Sequence, residues 1–186
     1  AKRAVERLNE RYRDGSGDYI RRRDAREDFG TNPCSEIILR SREFCNLSEV
    51  VIRRNDTRES LKAKVKHATI LGTFQSTLTE FKYLSREWKR NCDEERLLGV
   101  SLTGIMDNPL TNGSKNGLKE LLEELRDVAY ETNKEWADRF GIPHAAAITC
   151  VKPSGTVSQL VDSASGIHAR HNPFYIRTVR ADNKDP

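Results

Sequence analysis

No stretch of about 18 apolar residues occurs anywhere in the 186 residues, which leaves no segment able to cross a membrane as a helix. The first residues, Ala-Lys-Arg-Ala-Val-Glu, contain no apolar core of the kind a secretion signal needs. Methionine is nearly absent: Met106 is the sole copy and none stands at the start, so the chain is expected to be cut from a longer one. Cysteine is scarce too, at positions 34, 45, 92 and 150. In a chain without a secretion signal, four such residues are expected to be reduced thiols with catalytic or buried roles rather than a disulfide framework. The default expectation is a cytoplasmic protein.

What is abundant is charge. Charged residues make up 32% of the chain and apolar ones 36%, with a net charge of +4. The excess is local: Arg11, Arg13, Arg21, Arg22, Arg23 and Arg26 crowd together, but Asp14, Asp18, Asp24 and Glu27 interrupt them and only Tyr12 and Tyr19 are interleaved. Mixed signs with few aromatic residues favour a solvated linker over direct nucleic-acid binding. Residues 1–27 are therefore assigned to a charged helical or linker segment, and 28–186 to the folded part.

Along that part, Ile37-Ile-Leu39 and residues 47–52 read as two strands joined by a polar turn at 40–43. A long helix follows. Asp56 and Glu59 have capping-box spacing, and Leu61, Val65, Ala68, Leu71, Leu78 and Phe81 form its apolar stripe, with Lys62, Lys64 and Lys66 on the wet side. A short helix over 91–98 leads into Gly99-Val-Ser-Leu-Thr-Gly104, a strand or tight crossover. The strongest helical pattern, roughly 115–140, carries Leu118, Leu121, Leu122, Leu125, Val128, Ala129, Thr132, Trp136 and Phe140 on one face, and Gly141 and Pro143 stop it. Residues 145–151 form a short apolar run expected for a strand covered on both faces. Strands alternating with long helices imply an α/β fold with parallel strands.

Two stretches carry chemistry. In Thr31-Asn-Pro-Cys-Ser-Glu36, the residues Asn32, Cys34 and Glu36 alternate, so an extended tip would present an amide, a thiol and a carboxyl group on one surface. Hydrolytic thiol chemistry needs a base such as histidine, and the nearest downstream one, His67, falls inside a helix. Cys45 on the next strand comes near Cys34 if the two strands pair, and two thiols so placed suit redox work. A zinc site is disfavoured, since Cys92 and Cys150 lack paired spacing and no histidine pair completes four ligands. The second stretch, Lys152-Pro153-Ser154-Gly155-Thr156, follows the apolar run and precedes a helix start. Glycine there lets a backbone approach a ligand, and free N–H groups with two hydroxyls can cradle an anion. A plain strand-to-helix turn reads equally from the same residues.

Asn32-Pro-Cys-x-Glu36 with Cys45-Asn-Leu47 resembles the finger loop and adjacent strand of the ribonucleotide reductase large subunit. The wording of Asp28-Phe-Gly-Thr-Asn-Pro-Cys-Ser-Glu-Ile-Ile-Leu39, Gly99-Val-Ser-Leu-Thr-Gly-Ile105 and Lys152-Pro-Ser-Gly-Thr156 is most similar to the adenosylcobalamin-dependent, class II branch. The resemblance runs from about residue 24 to about 180. It implies roughly the second half of a ten-stranded α/β barrel, with the finger loop threaded through it. It further implies reduction of ribonucleotides to deoxyribonucleotides, for DNA synthesis, with adenosylcobalamin as cofactor. Cys34 would be the thiyl radical acting at C3′, Glu36 the base at the 3′-hydroxyl, and Asn32 a hydrogen-bonding partner of the substrate. Cys45 would be one of two reducing thiols, and Lys152 to Thr156 the phosphate-binding loop.

The family also has a second reducing cysteine on an earlier strand and a C-terminal cysteine pair serving a thioredoxin-like reductant; the sequence contains neither. Cys92 and Cys150 are expected to be buried structural thiols. Partners implied are a ribonucleoside di- or triphosphate and the remainder of the catalytic chain, without which the piece is expected to have little activity. A class I large subunit and a non-catalytic nucleotide-binding remnant are the alternatives. His168 and His171, in a tail that also resembles the family, are expected in a turn before a strand over 175–179 rather than at a metal.

Overall fold

A computed structural model describes residues 29–176 and 178–184. The charged segment 1–27 lies outside the described residues. The elements, in chain order, are β1 (Gly30–Thr31), β2 (Ile38–Leu39), β3 (Asn46–Val51), α1 (Arg58–Gln75), α2 (Arg86–Glu95), β4 (Leu98–Thr103), a 3-10 turn (Ile105–Asp107), α3 (Leu118–Phe140) and α4 (Thr156–Leu160).

The parallel α/β arrangement is present. β3 and β4 pair in parallel, Asn46 against Leu98 through Val51 against Thr103, with α1 and α2 between them in sequence. On the other side of β4 the chain returns after α3, again parallel, but only Thr149 bridges to Val100. The expected strand over 145–151 is thus reduced to one bridge and a few hydrogen bonds, including Leu98 N–H to Ala147 O and Cys150 N–H to Val100 O. It is not covered on both faces: Ile148 is buried while Thr149 and Val151 are exposed.

One face of the sheet packs on the helices. Val50, Ile52, Leu98, Val100 and Ile148 join Leu61, Val65 and Ala68 of α1 and Leu121, Leu125 and Ala129 of α3 in a single core. At about 25 cal/mol per Å² of apolar surface, this cluster is the main stabilising term. The stripe assigned to α1 holds for Leu61, Val65 and Ala68, then fails: Leu71 and Leu78 are exposed, and the helix ends at Gln75. Thr69, Gly72 and Thr73 turn inward instead. The threonines are tolerated there because each hydroxyl donates to the carbonyl four residues back, Thr69 to Val65 and Thr73 to Thr69, both at 2.8 Å. Gly72 leaves room for Leu98 and Ser48. The capping box also sits elsewhere: Thr57 is the N-cap and exchanges hydrogen bonds with Ser60, at 3.2 and 2.9 Å.

Asn133 on α3 ties the layers together. Its Nδ2 donates to Thr73 Oγ1 at 3.0 Å, and its Oδ1 accepts from Ala145 N–H at 3.0 Å, which sets where the returning chain leaves α3. α2 begins earlier than expected and closes on Arg96 in the left-handed region, whose N–H donates to Cys92 O.

Candidate active site

The stretch carrying Cys34 is the tip of a short hairpin. β1 and β2 pair antiparallel, Gly30 with Leu39 and Thr31 with Ile38. β2 therefore does not pair with β3, and the expected hairpin through residues 40–43 is not formed. Ser41 and Arg42 do form an exposed turn, but Arg40 and Glu43 on either side of it are buried. The Arg40 guanidinium is enclosed, reaching Glu94 at 2.9 Å, Glu95 at 3.3 Å, Glu43 at 3.4 Å and the Asn91 carbonyl at 3.0 Å. Asn91 Nδ2 donates back to Ser41 O at 2.9 Å. The base of the hairpin is thus clamped onto α2, by charges that the sequence pattern makes look like solvent-facing ones.

At the tip the chain is turned, not extended. Ser35 N–H donates to Asn32 O at 2.9 Å, Asn32 N–H to Ile37 O at 3.2 Å, and Ile37 N–H to Asn32 Oδ1 at 3.1 Å. Ser35 sits at φ 63°, a left-handed conformation that costs a non-glycine residue energy and is held here by those three bonds. The turn separates what alternation would align: Cys34 is exposed, whereas the Glu36 side chain is only 3% exposed. Asn32 spends its carbonyl oxygen on bracing the turn, so its Nδ2 donors are the part left for a ligand.

Glu36 points to the other motif. Lys152 Nζ donates to Glu36 Oε1 at 3.5 Å, and Glu36 Oε2 is buried with no hydrogen-bond partner among the described residues. This contact joins the hairpin tip to the start of the loop 152–156. The loop itself is closed on its inner side. Ser154 is buried, its carbonyl accepts from the hydroxyls of Ser158 and Ser165, and its own hydroxyl oxygen is buried without a partner among the described residues. Gly155, Thr156 and Pro153 are exposed. Gly166, which no spacing in the sequence marks, packs against the loop at φ 53°; a Cβ there would lie 3.1 Å from Lys152 O and 3.4 Å from Ser154 N.

The sheet face opposite the core completes the site. Register and alternation place Leu47 and Glu49 of β3 beside Gly99 and Ser101 of β4 on that face. Gly99 has no side chain, and the space is taken by Leu47 and two sulfurs: a Cβ at Gly99 would meet Cys45 Sγ at 3.1 Å and Cys150 Sγ at 3.3 Å. Cys150 therefore stands at this site rather than in the core, contrary to the structural role expected of it. Cys92 is buried as expected. Burial drives the Cys45 thiol far above its ordinary range, with Cys150, Glu36 and Glu43 adding to the effect and Lys152 opposing it. Cys150 is pushed up to about 11, first by burial, then by Glu36 and Glu49, again against Lys152. Both sulfurs are held as neutral thiols at pH 7, the form that donates hydrogen rather than the nucleophilic one. Glu49 Oε1, on the same face, is buried without a partner among the described residues.

The tail is fixed by charge. Arg170 binds Asp107 at 2.9 Å and Asp162 at 2.9 Å, and Asp107 Oδ2 accepts from Ala164 N–H. The strand expected over 175–179 is absent among the described residues, and Phe174 and Ile176 are almost fully exposed.

No known protein-family profile matches the chain. Individual relatives do. An adenosylcobalamin-dependent ribonucleoside-triphosphate reductase of Euglena gracilis is 31% identical over 172 residues, covering 92% of this chain and 22% of that protein. The protein of the same name from Lactobacillus acidophilus is 29% identical and covers 84% of this chain and 24% of its own length. A crystal structure of a B12-dependent class II ribonucleotide reductase superposes with a TM-score of 0.61 over 75% of this chain and 22% of that one, at 23% identity, which supports the shared fold. The chain spans about a quarter or less of the relatives it matches. Over most of its length the chain is homologous to part of the proteins named adenosylcobalamin-dependent ribonucleoside-triphosphate reductases.

Proposed function

We propose that the chain is the part of a ribonucleotide reductase catalytic subunit that carries the hydrogen-abstracting cysteine, and that the complete protein reduces ribonucleotides to 2′-deoxyribonucleotides through a thiyl radical. The observation that carries this reading is the Lys152–Glu36 contact, which joins two motifs 116 residues apart beside Cys45. Cys34 at the exposed tip takes hydrogen from C3′ of the ribose. Glu36 accepts the proton of the 3′-hydroxyl through the oxygen that has no partner of its own. Asn32 steadies the sugar through Nδ2. Cys45, held as a thiol, is one of two reducing thiols that together supply two electrons and two protons, replacing the 2′-hydroxyl by hydrogen as it leaves as water and ending as a disulfide, and residues 152–156 receive the phosphates. A radical cysteine requires no histidine base.

The full enclosure is proposed to be a ten-stranded α/β barrel to which these residues contribute about half. The named activity of the relatives favours triphosphate substrates. A thioredoxin-like protein is proposed as the source of electrons and adenosylcobalamin as the cofactor. The described residues do not by themselves fit a corrin, because Cys34 stands exposed at the hairpin tip. Any such site belongs to the complete protein, where the cofactor would supply the radical that Cys34 carries. The experiment is conversion of ribonucleoside triphosphates by the complete protein with a dithiol, with and without adenosylcobalamin. Formation of deoxyribonucleotide only with the cofactor is expected; turnover without it would favour the class I reading, and no turnover under any condition the binding remnant.

A further inference from the structure

Cys150 has no place in the roles above, yet its sulfur and that of Cys45 both lie against the one point where Gly99 lacks a side chain, at 3.3 and 3.1 Å from it. Those two distances bound the separation of the sulfurs. The two residues approach from opposite sides of β4: Cys45 directly precedes β3, and Cys150 directly follows the bridge residue Thr149. Both thiols are free, and neither is walled off by the core as Cys92 is.

We propose that Cys45 and Cys150 form a redox-active dithiol that closes as a disulfide over Gly99, giving the reducing thiol a partner within this chain. This rests on the reading of Cys45 as a reductant, and names the group from which it can be oxidised and restored. Closure requires the Cys150 segment to move inward, since residues flanking a strand on both sides start roughly two strand spacings apart, about 9–10 Å, more than a disulfide tolerates. That segment can do so. It has no strand of its own; Ala147 and Ile148 accept from Leu98 and Val100 of β4 at 2.9 and 2.8 Å, and beyond them the Cys150 N–H bond to Val100 O at 3.1 Å is the last backbone tie before the loop. Gly99 contributes no side chain of its own, but Leu47 Cδ2 lies 2.5 Å from where a Cβ would stand, so closure also requires the Leu47 side chain to turn away.

The chemistry balances with a small disulfide as oxidant. The Cys150 thiol, closer to its ordinary range than Cys45, loses its proton and attacks the small disulfide. Its S–S bond breaks, one half leaves as a thiol, and a mixed disulfide forms on Cys150. Cys45, deprotonated in turn, attacks the Cys150 sulfur and expels the second half as a thiol. Two electrons pass from the cysteine pair to the oxidant, and the two cysteine protons end on the released thiols. Charges facing the pair are Glu36, Glu43 and Glu49, which disfavour thiolate, and Lys152, which favours it. Closure should therefore accelerate steeply as pH rises, about tenfold per unit below the thiol range.

The test is incubation of the chain with oxidised glutathione at pH 8.5, blocking of free thiols with an alkylating agent, and non-reducing peptide mass spectrometry. A peptide joining Cys45 to Cys150 should dominate, with Cys34 carrying glutathione and Cys92 unreacted, the last confirming that the fold persisted. In Cys150→Ser the linked peptide should vanish and Cys45 should remain a thiol. In Gly99→Ala, where the new Cβ lies between the sulfurs, the yield should fall at least tenfold. Cys45 and Cys150 both left free, or Cys45 joined to Cys34 instead, would overturn the inference. A complete protein that closes this disulfide but reduces no nucleotide would sustain the inference and sink the reductase reading.

Discussion

Lys152 Nζ lies 3.5 Å from Glu36 Oε1, and it is the cation that meets a carboxylate group buried to 3% exposure. Ionised carboxylates removed from water are costly unless paired, so this contact fastens the hairpin tip to the phosphate-loop candidate. Lys152→Ala should destabilise the chain by about 1–3 kcal/mol, less than for a fully enclosed pair because Lys152 is partly exposed. Glu36→Gln in the same background should recover most of the loss. Urea unfolding of the two single variants and the double variant checks the coupling; additive losses would show that the pair does not hold the two motifs together.

The raised thiols impose a pH dependence with a definite sign. In the unfolded chain a cysteine titrates near 9.0, and folding raises Cys150 to about 11 by burial, then by Glu36 and Glu49. The folded state holds its proton more tightly, so this contribution to stability is complete below pH 9 and is lost as pH rises from 9 through 11. Urea midpoints should fall over that interval by less in Cys150→Ala than in the unaltered chain. Equal falls would show that the thiol is not held back by its surroundings.

How much of this was legible in the sequence depends on the range of the interaction. Leu121, Leu125 and Ala129 recur at helical spacing, and that stripe is buried as the periodicity demands. Leu71 and Leu78 fit the same rule in α1 yet face water, because the helix ends at Gln75 and Thr73, satisfied by its own backbone, takes the inner face. The hairpin is not legible in the sequence because its pairing is only two residues long and its real anchor, Arg40 against Glu43, Glu94 and Glu95, looks there like a wet turn. Asn32, Cys34, Glu36 and Cys45 could be singled out locally. Cys150 could not, since its approach to Cys45 exists only once β3, β4 and the returning chain lie in parallel register with a glycine between them.

Arg40 offers a separate check on how the tip is held. Replacement by Met removes the cation that faces the buried carboxylates of Glu43 and Glu95, and should cost about 3–5 kcal/mol. Hydrogen exchange should rise at Asn32, Ser35 and Ile37, whose N–H groups close the tip, while the β3–β4 ladder exchanges as before. Protection retained at the tip would mean that α2 does not anchor it.

Asn133→Ala should leave the Thr73 hydroxyl and the Ala145 N–H without their partner, at a cost of about 2–4 kcal/mol for the two together. Asn133→Asp can still accept from Ala145 but buries a charge, so it should be no milder. Thermal unfolding of both variants separates this role from simple loss of volume.

The central claim, that Cys34 is the residue that opens the chemistry, is tested most directly by Cys34→Ser in the complete protein. Deoxyribonucleotide formation is measured alongside equilibrium binding of a ribonucleoside triphosphate. The account predicts that turnover disappears while nucleotide affinity stays within about twofold, since residues 152–156 and Asn32 remain in place. Turnover that survives the substitution would contradict it.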